Sequence, residues 1–208
     1  MAKYSYKLEN EVYRLYEDDK PISTPDGNPI IAESETLAHK LVEAFEKSND
    51  FTAPDSLLTF HYTYCNLIAD YKQEDLIADY ADCMNYDNLL GDAYLMFRQP
   101  SPVRQAIATY LDDNSMEFFV DMNMYQLTAV LTLYTISHSW ALPYYVVSDL
   151  VEHAGTEDYA DLKEDFMNDI VECELGEFDV DPDEASYKRH LKELSKAIDL
   201  FVEYFTMQ

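Results

Sequence analysis

The sequence predicts an α+β protein, in which a small N-terminal β-rich domain is followed by a larger all-α helical domain. Two patterns predict this class: apolar residues alternate at a period of two near the N-terminus, and from residue 34 they recur every three to four positions. The chain has 208 residues, 48% of them hydrophobic, which is enough for one ordinary core and a small appendage. We expect a β-meander plus one helix over residues 1–52 and the helical domain over residues 53–208.

The first thirty residues have the pattern of strands and turns. Apolar and aromatic residues alternate from Tyr4 to Leu8 and again from Val12 to Tyr16, and such residues suit extended chain. Two polar breaks follow, EDDK and TPDGNP. We expect a meander of three or four strands, which needs the helices behind it for stability because so small a sheet is marginal alone.

Helical periodicity begins at Ser34, a residue type suited to capping a helix N-terminus. One apolar stripe follows, made of Leu37, Ala38, Leu41, Val42 and Phe45. Asp55 or Ser56 is expected to cap the next helix, LLTFHYTYCNLIADY. Two more helices are predicted over residues 74–84 and 101–111, the second because a serine cap is followed by proline at the first helical position.

The C-terminal half is predicted to be helical throughout. Met122–Leu142 is nearly free of charge and is expected to be one buried central helix. Glycine adopts the left-handed backbone that ends helices, so the next two helices are expected to end at Gly155 and Gly176. The last helix is predicted to begin at Asp181 and Pro182.

Charge limits the partners. The chain carries 41 acidic and 14 basic residues, a formal net charge of -27, and a field of this sign repels nucleic acid and anionic lipid. We therefore expect neither nucleic acid nor a membrane as partner. The N-terminus, MAKYSYKLEN, shows neither a signal core nor a transit peptide. A cytoplasmic location is expected, or the mitochondrial matrix for a eukaryotic source.

Motifs for catalysis are absent from the sequence. There is no GxSxG, GxGxxG, GxxxxGK[ST] or HExxH, and the three cysteines show no CxxC spacing. We expect no enzyme, no catalytic residue, no cofactor and no metal. One stretch resembles the start of a calcium loop, with Asp179, Asp181 and Asp183 at alternate positions. It has Glu184 where a glycine is needed and His190 where a bidentate glutamate is needed, so a helix cap explains it better.

The stretch from Lys20 to Ala38 matches a family motif: a basic residue, a short apolar stretch, T-P-x-x-N-P, two apolar residues and a helix beginning with serine. The matching residues are Lys20, Pro21, Ile22, Thr24, Pro25, Asn28, Pro29, Ile30, Ile31, Ser34, Leu37 and Ala38. With it the chain resembles the ATP synthase assembly chaperones of the Atp-twelve type. Further matches are Leu58, Thr59, Asp75, Leu76, Ile77, Asp87, Leu162, Glu164, Asp165, Phe166 and Gly176. The family's C-Y-R and W-D-P are replaced here by LLGDAYLMF and YLDD.

The resemblance implies a non-enzymatic chaperone whose protein client is the unassembled alpha subunit of the ATP synthase head, held until its beta partner arrives. On this basis we predict that partner binding involves Trp140, Glu164, Asp165 and Phe166. The alternative is an acidic DNA mimic or charge-decoy inhibitor, which would align acids at about one charge per 1.7 Å of duplex axis. A chaperone would instead present an apolar or aromatic patch rimmed by acids. A hydrolase without a recognisable motif is a third interpretation.

Overall fold

The computed structural model describes residues 3–85, 117–137, 140–177 and 184–207. The chain folds into two compact units, Met1–Lys72 and Gln73–Gln208. The first unit contains a β-sheet and two helices, and the described part of the second is helical. This order of elements confirms the predicted α+β class, with the β-rich part at the N-terminus.

The sheet of the first unit has four antiparallel strands: β1 (Tyr4–Glu9), β2 (Val12–Glu17), β3 (Lys20–Pro21) and β4 (Ile31–Ala32). Strand β2 lies at its centre and pairs with each of the other three. The predicted meander of three or four strands is confirmed. It receives the support that a small sheet needs, because helix α1 (Glu35–Lys47) packs on β1 and β2.

The first two turns of the sheet are tight and contain no glycine. Both central residues of each turn have a positive φ, 49° and 70° at Asn10 and Glu11, and 47° and 63° at Asp18 and Asp19. Two-residue hairpin turns of this kind match the twist of the strands they join, and Asn and Asp tolerate the left-handed backbone better than other non-glycine residues. The turns set the register that directs Leu15 into the core.

Both predicted helices of the first unit form, and local residues explain their starts. The Ser34 hydroxyl accepts a hydrogen bond from the Leu37 N–H at the start of α1, at 3.2 Å. Ser56 caps α2 (Leu57–Asp70) in the same way. Of the predicted apolar stripe of α1, Leu37, Ala38, Leu41 and Phe45 are buried and Val42 is half-buried.

Helix α2 belongs to the first unit, so the division falls after Lys72 and not after residue 52 as predicted. The reason is long-range: α2 packs on α1, and its polar side chains bond to the segment between β3 and α1. No local signal in the sequence reports these contacts. The predicted boundary lies at a real break between helices, but this break is internal to the unit.

The second unit contains the helices α3 (Gln73–Asn85), α4 (Met124–Ser137), α5 (Ala141–Asp149), α6 (Tyr159–Glu177) and α7 (Ala185–Phe205). A short 3-10 turn, Val151–His153, follows α5. The charge-poor helix α4 packs along α7 and is buried over most of its length, as predicted for a central helix. The helix predicted over residues 101–111 lies outside the described residues.

Met122–Leu142 does not form the single helix that its composition predicts. Helix α4 ends at Ser137, and a separate helix, α5, begins at Ala141. Pro143 gives the physical reason: it is the third residue of α5, in the first turn, where a missing N–H costs no hydrogen bond. A continuous helix would place this proline in its interior.

Two other predicted helix ends are shifted. Helix α6 continues to Glu177, one residue past the predicted end at Gly176. Gly155, by contrast, has a φ of +77° in the turn after α5, as expected for a glycine that ends a helical segment. Helix α7 begins at Ala185, later than the predicted start at Asp181, because Glu184 is extended. Residues 178–183, and with them the calcium-like aspartates, lie outside the described residues.

Candidate partner-binding surface

Trp140 lies inside an aromatic cluster of the second unit and is 3% exposed. Its ring stacks on Tyr134 with centroids 4.3 Å apart and meets Phe119 edge to face at 5.9 Å. Tyr80 contacts it from α3 at 5.4 Å. Aromatic pairs at these distances stabilise beyond the area they bury. Trp140 therefore fixes the start of α5 against α3 and α4 and offers little surface to a partner in this conformation.

The other three predicted residues are consecutive on α6 but differ in environment. Phe166 is 2% exposed and, with Ile170, forms the buried stripe of the helix. Glu164 and Asp165 are exposed. Successive residues of a helix are about 100° apart, so a buried Phe166 places its acidic predecessors toward solvent.

Asp161, Glu164 and Asp165 form what we call the acidic face of α6. All three are exposed, and spacings of three and four residues bring them onto one side of the helix. Lys163, the single basic residue between Asp161 and Asp165, lies 2.6 Å from Asp199 of α7 and pairs with that carboxylate. The acidic face therefore keeps a negative field toward solvent, which suits contact with a basic surface.

The TPDGNP turn carries the family resemblance, and it is held by a polar network that the sequence did not reveal. The Thr24 hydroxyl and the Asn28 side-chain amide both donate to Asn66 Oδ1 on α2, at 3.0 and 2.9 Å. The Asn66 amide in turn donates to Asp26 at 2.6 Å, and Tyr62 also donates to Asp26. In sequence, Asn66 is one polar residue among several on a helix, so nothing marked it as the partner of the turn.

His61 and Cys65, also on α2, are buried and serve the fold. His61 Nε2 lies 2.6 Å from the carbonyl oxygen of Ile31, and its ring stacks on Tyr64 at 5.5 Å. Burial lowers the pKa of His61 to about 4 and raises the pKa of the Cys65 thiol to about 12. At neutral pH the imidazole is uncharged and the thiol is protonated, so neither group is prepared for acid-base or nucleophilic chemistry.

The described parts of the chain contain no group of three or more His, Cys, Asp or Glu side chains arranged to bind a metal ion. Within the same residues, no helix has the length and apolar character needed to cross a bilayer.

Known proteins were compared with the chain by sequence and by structure. No protein-family model matches the sequence, and no curated protein matches it. Two solved structures are similar in fold, both of Atp12 from Paracoccus denitrificans. A point mutant of that protein has a TM-score of 0.49 and 17% identity, and the alignment covers 96% of this chain and 94% of that one. A second Atp12 structure has a TM-score of 0.47 and 15% identity, with 96% and 95% covered.

Proposed function

We propose that the chain is a non-enzymatic assembly chaperone that binds an unassembled protein subunit, and that this client is the alpha subunit of the ATP synthase head. The observation that carries the proposal is the TPDGNP segment. Its residues match the family motif, and two of them, Thr24 and Asn28, form the hydrogen bonds that join the turn to α2. The motif is thus used as a structural element in this chain.

A role in binding fits the state of the buried reactive groups. His61 and Cys65 are held in their neutral forms by burial. Both contact the carbonyl oxygen of Ile31. Because this oxygen does not take up a proton from either group, it activates neither of them. This arrangement supports a protein that acts by contact. We expect it to act where its client is assembled, in the cytoplasm or, for a eukaryotic source, in the mitochondrial matrix.

The acidic face of α6 is the proposed contact surface. A subunit awaiting assembly exposes surface that must be covered, and acidic residues around such a contact attract basic residues of the client and speed the encounter. In this proposal, Glu164 and Asp165 contact the client directly. Trp140 and Phe166 are buried, and in this proposal they hold in place the helices that carry the surface.

Affinity capture at low salt tests the proposal. The immobilised chain is mixed with purified alpha subunit and compared with the double variant Glu164→Lys/Asp165→Lys. The matched control is Glu43→Lys/Glu46→Lys, which changes net charge equally at exposed sites on α1. We expect roughly tenfold weaker capture by the α6 variant, the effect of about 1.4 kcal/mol lost from charge pairs at an interface.

The control should capture the client as well as the wild type does. Absence of any alpha-subunit capture by the wild type would refute the proposed client. Equal loss in both double variants would show that only overall charge matters and that the acidic face is not the contact.

A further inference from the structure

Strand β1 lies at an edge of the sheet, and every second residue of it directs its backbone groups away from the sheet. Only β2 pairs with β1. Leu15 of β2, which lies opposite Tyr6, makes both of its backbone hydrogen bonds on the other side of β2. Because bonded and non-bonded pairs alternate along an antiparallel ladder, the N–H and C=O groups of Tyr4, Tyr6 and Leu8 point outward.

This outer edge is not protected. Its outward N–H and C=O groups have no hydrogen-bond partner among the residues that the structure describes. Natural proteins commonly protect an edge strand with proline, a bulge or a charged side chain. Strand β1 has no proline and pairs with β2 without a bulge. Its Lys7 is turned back onto the sheet, with Nζ 3.2 Å from Asp19 and 4.4 Å from the centroid of the Tyr16 ring. The edge can therefore accept a further strand.

The side chains along this edge favour an added strand with apolar residues at every second position. Tyr4, Tyr6 and Leu8 share the face of the sheet on which α1 packs, and Tyr4 stacks on Phe45 of that helix. Leu8 is 63% exposed. Apolar side chains on the same face of an added strand would lie directly beside these three residues and cover Leu8.

Charge favours the client over a second copy of this chain as the occupant. Glu9 and Glu11 are next to the Leu8 end of the edge, and neither carboxylate has an ion pair within the described part of the chain. The hydrogen-bond partner of Glu9 is the uncharged Tyr16 hydroxyl. Lys3 is at the other end. A second copy would bring a net charge of -27 against the same charge and be repelled, whereas a basic segment is attracted.

We propose that the outer edge of β1 binds an extended segment of the client as an added strand. This segment has apolar residues at every second position and a lysine or arginine at the end that lies beside Glu9. Main-chain hydrogen bonds to Tyr4, Tyr6 and Leu8 give the affinity, and the alternating side chains give the specificity. The inference rests on the proposed function, because it identifies which part of the client the chaperone binds.

A designed peptide tests the edge without the client. In acetyl-Lys-Val-Thr-Val-Thr-Val-Glu-amide, antiparallel pairing places the valines opposite Leu8, Tyr6 and Tyr4 and the lysine opposite Glu9. Amide hydrogen exchange of the ¹⁵N-labelled protein is followed by NMR with the peptide in excess. We expect roughly tenfold slower exchange at the three outward amides and no change at the intervening amides of β1, which already bond to β2. Unchanged exchange at the outward amides would overturn the proposal.

Two methylated peptides locate the hydrogen bonds. N-methylation of the three valines removes the N–H groups that donate to β1, whereas N-methylation of the two threonines blocks only the far edge of the peptide. We expect the first peptide to lose the protection and the second to keep it. Protection that survives methylation of the valines would contradict strand addition. Protection that appears without peptide as the protein concentration rises would assign the edge to a second copy and contradict the client as occupant.

Binding of the alpha subunit to two variants separates this inference from the proposed function. Leu8→Pro removes one outward N–H without breaking a bond inside the sheet, and the control Leu8→Thr loses the same side chain but keeps the N–H. We expect Leu8→Pro to bind the subunit roughly fivefold more weakly than Leu8→Thr. Thermal unfolding checks that both variants fold.

The outcomes for the two proposals differ. If the wild type and both folded variants bind the alpha subunit equally, the edge does not hold the client, although the proposed function stands. If the wild type does not bind the subunit while the peptide protects the outward amides, the proposed client is wrong and the strand-addition site is supported. Weaker subunit binding by Leu8→Pro than by Leu8→Thr supports both.

Discussion

Replacing Asn66 by alanine tests whether α2 holds the TPDGNP turn. The change leaves the helix intact, because alanine favours helix, and removes the acceptor shared by Thr24 and Asn28 together with the donor to Asp26. If the network is what fixes the turn, the Asn66→Ala variant will have a less stable strand β4 and a lower free energy of unfolding for the first unit.

The structure sets the size of the effect. The bonds from Thr24 and Asn28 are part-buried and contribute about 1 kcal/mol each, whereas the bond to Asp26 is exposed and contributes less. We therefore expect a loss of about 2 kcal/mol, equivalent to a roughly 30-fold change in the equilibrium for opening.

Amide hydrogen exchange measures this opening locally. The Ile22 and Ile30 amides bond to neighbouring chain segments on either side of the turn, so their exchange should be roughly 30-fold faster in Asn66→Ala. The control is Asn168→Ala, the same substitution at an exposed position of α6, which should leave these amides unchanged. A change below about twofold at both amides would refute the network as the element that holds the turn.

Three further predictions follow from buried side chains. The unfolded chain protonates His61 near pH 6.5 but the folded chain only near pH 4, so the free energy of unfolding falls as the pH drops between these values. Denaturant titrations at the two pH values should show the wild type losing about 3 kcal/mol more than His61→Gln. Equal losses would contradict this. In a Cys173→Ser background, a disulfide reagent should label exposed Cys83 on the order of a thousandfold faster than buried Cys65; comparable rates would show that α2 opens readily. Trp140→Ala should lower the free energy of unfolding by about 3–5 kcal/mol, measured by urea denaturation, and a loss below about 1 kcal/mol would contradict its burial.

Local patterns were sufficient to predict the elements of the first unit. Helix α1 begins where Ser34 predicts it, because a cap acts on N–H groups only a few residues away. Its apolar stripe is buried because periodicity alone decides which side of a helix meets the core. The signal for the break before α5 was also local: Pro143, the residue directly after Met122–Leu142, is tolerated in the first turn of a helix but not in the interior of one that continues from α4.

Contacts between distant residues could not be predicted. Helix α2 joins the first unit through bonds such as His61 to Ile31 and Asn66 to Thr24, which no spacing along the chain encodes. For the same reason, only part of the candidate partner-binding surface could be predicted from the sequence. Exposure of Glu164 and burial of Phe166 follow from the helix period, whereas the environment of Trp140 depends on partners from other helices.

Size-exclusion chromatography with light scattering tests the proposed chaperone role most directly. The purified chain is mixed with unassembled ATP synthase alpha subunit at micromolar concentration, and the beta subunit is then added. The proposal predicts a one-to-one complex with the alpha subunit that dissociates when the beta subunit arrives. Elution of the two proteins as separate monomers before the addition, or a complex that the beta subunit leaves intact, would contradict it.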